Sequence, residues 1–236
     1  MISIVIPVYN FANDIEQTIR KINEFLNKNS ENFEIIFVND GSTDKTAEVI
    51  SKFCNENIKL INLDGNQGKG MAIKQGIMSG GGDYLIFTDA DLPYGLEIIN
   101  IFVSKLKSGY QVVLGSRILA KSSSVDHYGL KRRILSYIFK KSANLILLNE
   151  ISDTQCGIKG FSKQASKDIF NQVKTVKFAF DVEVIYLAQK LDYKIAQIPV
   201  VLLSNAASSM NLFKDGLMMF VDLAKLYFRN KVRKIK

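Results

Sequence analysis

The sequence predicts an α/β fold with a mostly parallel central sheet flanked by helices, and two observations carry that expectation. Short, strongly apolar runs alternate through the first half with stretches of helical periodicity. Strands that apolar need helices over both faces, as in parallel sheets. Each run also ends in a polar or glycine-bearing stretch, and ligands bind along the carboxyl edge of open α/β sheets.

The elements follow in chain order. Ile2 to Val8 opens as a strand, and a helical pattern starts near Asn13. Further strands are expected at Glu34 to Val38, Ile58 to Leu63, Tyr84 to Thr88 and Gln111 to Gly115, with helical patterns starting near Thr43, Lys69 and Leu96. Asp40-Gly41-Ser42-Thr43-Asp44 is a turn entering a helix, with Ser42 or Thr43 available to cap it. In the second half, Gly129 to Leu148 has helical spacing and a basic start, Lys131-Arg132-Arg133. A turn-rich stretch, Ser152-Asp153-Thr154-Gln155-Cys156-Gly157, precedes a helix from Asp181 to Leu191 and a strand from Gln197 to Leu203. Pro199 removes a ladder donor and assigns that strand to a sheet edge. No repeat or linker divides the chain, so residues 1–210 are expected as one domain, with 211–236 a terminal helix and basic tail.

The last helix, Leu212 to Arg229, is unusually apolar around its circumference. Lys214, Asp215, Asp222, Lys225 and Arg229 fall within a wedge of about 100°, and the rest of the arc is almost wholly apolar. After Asp222 come Lys225, Arg229, Lys231, Arg233, Lys234 and Lys236, with no acid among them. Such a helix either lies in a membrane interface against anionic headgroups or packs as a core or dimer helix with a solvated tail. The Gly129 to Leu148 helix could add Ile134, Leu135, Ile138, Leu145 and Ile146 to the membrane contact, or bury them in the core.

Composition narrows the partners. Hydrophobic residues at 47% exclude wholesale disorder. Lys and Arg outnumber Asp and Glu by 31 to 23, giving +8, which suits nucleic acid, anionic lipid or a phosphorylated substrate. No apolar stretch reaches the roughly 20 residues of a spanning helix. The chain enters its first strand without a signal-peptide layout, and Cys54 and Cys156 lack metal-site spacing, so a cytoplasmic protein is expected.

The chemistry gathers at the ends of strands. The apolar run Tyr84 to Thr88 stops at Asp89-Ala90-Asp91, and alternation sends both carboxylates to one side. They are either hard oxygen ligands for a divalent cation that holds a diphosphate, or solvated turn residues. Asp40 could accept hydrogen bonds from a base or ribose. Glycines flank Lys69 in Asn66-Gln67-Gly68-Lys69-Gly70, so backbone can approach a phosphate while Lys69 adds charge, although P-loop spacing is absent. Pro7-Val8-Tyr9-Asn10 and Gly115-Ser116-Arg117 complete the edge.

In order and spacing, Pro7-Val8-Tyr9-Asn10, Val38-Asn39-Asp40-Gly41-Ser42-Thr43-Asp44, Asn66-x-Gly68-Lys69-Gly70 and Asp89-Ala90-Asp91 resemble inverting glycosyltransferases of the GT-A fold, family 2. Gly115-Ser116-Arg117, Asp153-Thr154-Gln155-Cys156-Gly157 with Lys159 and Phe161, and Phe180-Asp181-Val182-Glu183 are similar to the dolichyl-phosphate glucosyltransferase branch, with polyprenyl-phosphate mannose synthases as near relatives. The resemblance implies that Pro7, Tyr9 and Asp40 border the nucleotide base. It implies that Asp89 faces the nucleotide sugar and that Asp91 binds Mg²⁺ or Mn²⁺ on the diphosphate. Arg117, with Arg132 or Arg133, would hold the phosphate of a polyprenyl-phosphate acceptor. The implied reaction moves a hexose, glucose by this branch, from a uridine diphosphate donor with inversion, at the cytoplasmic face of a membrane.

The chain departs from the family in three places. Phe11 follows Pro-x-Tyr-Asn where Glu is common, Ser208-Ser209-Met210 replaces Ser-Lys before the last helix, and Leu92-Pro93 follows Asp-x-Asp where mannose synthases have Leu-Gln. Lys214 or an arginine would then replace the missing lysine, and the sugar stays open. If the acceptor were instead a saccharide hydroxyl, in cell-surface polysaccharide synthesis, Asp181 would be the candidate base. A sugar-phosphate nucleotidyltransferase would need a basic glycine-rich loop at the N-terminus, which is absent, and a nucleic-acid module would leave the metal and nucleotide motifs unexplained. His127, the lone histidine, is more simply an exposed loop residue, and Cys156 has no histidine beside it to make a nucleophile.

Overall fold

The computed structural model describes residues 1–120, 130–175, 179–203 and 212–232. His127, Ser208 to Met210 and the end of the basic tail lie outside the described residues. Three parallel strands, β1 (Ile2–Val8), β2 (Phe33–Asn39) and β3 (Ile58–Asn62), are joined by helices α1 (Ile15–Lys28) and α2 (Thr46–Ser51). Helix α3 (Lys69–Ser79) then returns the chain to β4 (Tyr84–Phe87), on the other side of β1. Helix α4 (Ile98–Lys107) leads to β5 (Val112–Ser116), and α5 (Leu130–Ile146) follows. The chain closes through β6 (Lys159–Ser162), α6 (Lys163–Gln172), α7 (Phe180–Lys190), β7 (Ile195–Pro199) and α8 (Leu212–Val232).

The seven strands form one sheet in the order β3-β2-β1-β4-β6-β5-β7. All neighbours run parallel except β6, which lies antiparallel between β4 and β5. The β1 crossover runs one way and β4 takes the other side of β1, so a crevice opens beyond the carboxyl ends of these strands. β1 and β2 are buried on both faces, which explains their unbroken Ile, Val and Phe content. One core layer joins Val5, Ile36 and Phe87 to α3, α6, α7 and the inner faces of α5 and α8. The other joins Ile4, Ile6 and Ile35 to α1, α2 and α4.

Three expectations need correction. The segment Lys159–Ser162 is a strand, and α6 follows it at once. Neither had been anticipated, because four residues after a turn give no period to read. The last strand ends at Pro199 rather than Leu203, although Pro199 does lie in an edge strand. The α2 helix starts with Asp44 accepting from the Thr46 amide at 3.0 Å. Ser42 and Thr43 are instead occupied with Asn10: the Ser42 hydroxyl accepts from the Asn10 amide, and the Thr43 amide donates to the Asn10 side chain.

Candidate active site

The crevice is built by cross-linking the loops that leave β1, β2 and β3. Asp40 is buried, and its two carboxylate oxygens accept from the backbone amides of Gln67 at 2.7 Å and Gly68 at 2.9 Å. Asn39 is paired to Asn62 on the next strand at 2.9 Å and accepts from the Ser42 amide at 3.1 Å. Gly41 has φ 68°, and a Cβ there would stand 2.2 Å from the backbone of Gly65, so only glycine lets these loops touch. Asp40 therefore fixes the Gln67–Gly68 loop, while Tyr9, the first residue past β1, is exposed and Pro7 is buried within β1.

Beyond β4 the backbone turns at once, with the Leu92 amide donating to the Asp89 carbonyl at 3.0 Å and Leu92 at φ 49°. The Thr18 hydroxyl of α1 donates to the Ala90 carbonyl at 2.8 Å and anchors the turn. One Asp89 oxygen pairs with the Lys69 ammonium at the start of α3. The other faces Gly157, where a Cβ would stand 2.0 Å from Oδ2. Burial and the adjacent Asp89 push the Asp91 carboxyl above the ordinary aspartate value. Desolvation works against the Lys69 ammonium, but Asp89, Asp181 and Asp91 outweigh it and raise its pKa.

The second half supplies the other wall. Arg117, just past β5, donates through Nε at 2.8 Å and Nη2 at 3.0 Å to the two oxygens of buried Asp153, whose Oδ2 also accepts from the Arg117 amide. Burial pushes Asp153 up, but the guanidinium prevails and holds its carboxyl below the ordinary value. Gly157 donates to the Tyr94 hydroxyl at 3.2 Å. Burial raises the pKa of both the Tyr94 phenol and the Cys156 thiol, so both stay neutral, in keeping with a non-nucleophilic Cys156.

Asp89, Asp91, Lys69 and Arg117 thus share one sheet edge with Tyr9 and Asp40. Arg132 and Arg133 lie in the first turn of α5, and their side chains are outside the described residues. Two residues escaped a direct reading. Lys159 is fully buried and donates to Asp181 at 2.5 Å, and Glu183 is buried and accepts from Arg229 of α8. A lysine between Ile158 and Phe161 was the visible signal for the first.

Among the described residues, no group of three His, Cys, Asp or Glu side chains could enclose a metal. The donor set nevertheless fits a hard divalent cation shared with a ligand. Two carboxylates at the end of β4 offer hard oxygen donors, and a cation would offset the burial and the neighbouring Asp89 charge that raise the Asp91 pKa.

The model of glycosyl transferase family 2 matches residues 3–170. The dolichyl-phosphate beta-glucosyltransferase of Dictyostelium discoideum is 33% identical over 97% of this chain and 74% of its own length. The enzyme of that name from Saccharomyces cerevisiae is 32% identical over 94% of this chain and 72% of its own. The fold is shared with glucosyl-3-phosphoglycerate synthase from Mycobacterium tuberculosis, solved with Mn²⁺, uridine diphosphate and phosphoglyceric acid. That match has a TM-score of 0.70 at 17% identity, covering 96% of this chain and 78% of that one. The expected GT-A architecture is therefore the one observed, and the chain belongs to glycosyl transferase family 2.

Proposed function

We propose that the chain transfers glucose from a uridine diphosphate donor to a polyprenyl phosphate, with Mg²⁺ or Mn²⁺ held at Asp91 and Asp89. The carrying observation is the gathering of Lys69, Asp89, Asp91 and Arg117 at one sheet edge. It occurs in a chain that is 33% and 32% identical, over nearly its full length, to two dolichyl-phosphate beta-glucosyltransferases.

In this reading Tyr9 lies against the base and Asp40 holds the loop that approaches the diphosphate. When bound, the cation supplies charge neutralisation to the diphosphate. Lys69 adds a second positive charge there and shifts from Asp89 toward the phosphate as the donor enters. Arg117, held through Nε and Nη2 by Asp153, presents positive charge to the acceptor phosphate, aided by Arg132 or Arg133 of α5. A phosphate oxygen of the acceptor attacks the anomeric carbon as the bond from that carbon to the diphosphate breaks. The electron pair leaves with uridine diphosphate, and the anomeric centre inverts. The acceptor is already anionic, so no side chain needs to remove a proton. Residues 1–210 form the catalytic domain, and 211–236 rest with α5 on the cytoplasmic face of the membrane that holds the lipid.

The test is incubation with UDP-glucose, Mn²⁺ or Mg²⁺ and a short polyprenyl phosphate, with glycolipid read by mass spectrometry. Asp91→Ala or chelation should lower its formation roughly a hundredfold or more. Transfer only to saccharide hydroxyls would replace the lipid acceptor, and failure to bind UDP-glucose would sink the enzyme reading.

A further inference from the structure

The reaction as derived leaves the buried charge of Lys159 unused. Lys159 is fully buried at the centre of the sheet, where it pairs with Phe87 of β4 on one side and Leu114 of β5 on the other. Those two strands end in the halves of the site: Asp89 lies two residues beyond Phe87, and Arg117 three beyond Leu114. The Lys159 ammonium donates to the Asp181 carboxylate of α7 at 2.5 Å and to the Cys156 carbonyl at 2.7 Å, and it stands 5.4 Å from the centre of the Phe87 ring.

Stability does not account for a lysine here. A fully buried ammonium gives up its hydration, and an unbranched apolar side chain of similar length could fill the same space without that loss. Its contacts nevertheless converge on the site. The Cys156 carbonyl belongs to the turn whose Asp153 holds Arg117 and whose Gly157 backs onto Asp89. Asp181 lies within electrostatic reach of Lys69 and Asp89. Three carboxylates, Asp89, Asp91 and Asp181, face two ammonium groups, Lys69 and Lys159.

We propose that Lys159 is a positioning residue for acceptor transfer: it pins the 153–157 turn to α7, so that Arg117 stands at a fixed place relative to Asp89. The proposal rests on the polyprenyl-phosphate reading for its substrate but not for its geometry. It also assigns Asp181 an anchoring role. A carboxylate that receives a buried ammonium at 2.5 Å is held in place by it, which suits an acceptor that arrives already ionised.

The test compares wild type with Lys159→Met, which conserves length and flexibility, and with Asp181→Asn, which keeps an oxygen for Lys159. UDP binding with Mn²⁺ is measured by calorimetry, and kcat and KM are measured for the short polyprenyl phosphate. Amide hydrogen exchange is followed across 152–158. Lys159→Met should bind UDP within about threefold of wild type and lose about a hundredfold in kcat/KM for the acceptor, the size of effect that a displacement near 1 Å produces. Exchange should quicken at 152–158 and stay unchanged in β1 and β2. Asp181→Asn leaves the buried ammonium without its carboxylate, so it should quicken exchange at 152–158 and lower acceptor transfer in the same direction as Lys159→Met. The inference is overturned if Lys159→Met keeps wild-type exchange at the turn. It is equally overturned if UDP binding and acceptor transfer fall together with the melting temperature, the mark of a merely structural residue. If wild type makes no glycolipid while exchange at the turn quickens in Lys159→Met, the acceptor assignment fails and the pinning role stands.

Discussion

At the scale of single residues, the site is made by buried acids that accept backbone or guanidinium donors, and Asp153 is the one whose charge can be followed. Its carboxylate answers both arms of Arg117 and the Arg117 amide. Because its pKa is lowered in the folded chain, the stabilisation is fully present above the ordinary aspartate value of 3.8 and is lost as pH falls through the folded value. Asp153→Asn removes the charge and leaves Arg117 without its carboxylate, at a cost of roughly 3 kcal/mol near neutrality. Melting curves of wild type and variant should differ most at pH 7 and converge as pH drops below 3.8. A gap that stays constant through that range would deny the ion pair its stabilising role. Asp91 and Asp181 titrate in the opposite sense, with raised values, but they are present in both proteins and cancel in the comparison.

Among the elements, legibility followed periodicity and length. The parallel strands of the first half were readable because burial on both faces demands unbroken apolar runs, and the motifs at their ends were readable because the chain must turn there. The partners of those motifs were not. Nothing local says that Asp40 serves Gln67 and Gly68, or that Lys159 lies in a strand of four residues. The polar wedge of α8 shows the same limit. Spacing placed Arg229 with Lys225 and Asp222, yet Arg229 turns to the buried Glu183 of α7. Glu183 also accepts from the amides of Lys174 at 3.1 Å and Thr175 at 2.6 Å. Among the described residues, helix α8 is tied to the body by the Arg229–Glu183 ion pair, by Leu223 and Leu226 in the core and by the Phe220 ring edge-on to Phe139 of α5 at 5.5 Å. Arg229→Met should lower stability by about 2 kcal/mol and quicken proteolysis within α8 before the sheet is attacked. Cleavage no faster than in wild type would show that the apolar contacts alone hold the helix.

For the molecule as a whole, the proposed lipid acceptor raises the question of which face would meet a membrane. No helix among the described residues is long and apolar enough to cross a membrane, and the proposed lipid acceptor turns attention to the apolar side chains that the described helices leave exposed. The paired helices α5 and α8 bury Phe139, Ala143, Leu223 and Leu226 inward and leave Ile138, Leu145, Val221 and Phe228 exposed, Leu145 by 85% and Phe228 by 63%. Exposed side chains of that size on two packed helices offer apolar area to an interface, and the net charge of +8 favours anionic headgroups. Cosedimentation should show binding to vesicles containing anionic phospholipid, weaker binding to neutral ones, and release as salt rises. Phe228→Ser, which removes an exposed ring and should leave folding intact, should weaken partitioning about tenfold, the equivalent of the transfer energy of one aromatic side chain. Leu145→Ser should act in the same direction from the other helix. If both variants bind anionic vesicles as wild type does, the apolar face belongs to something other than the membrane, and charge alone draws the protein to lipid.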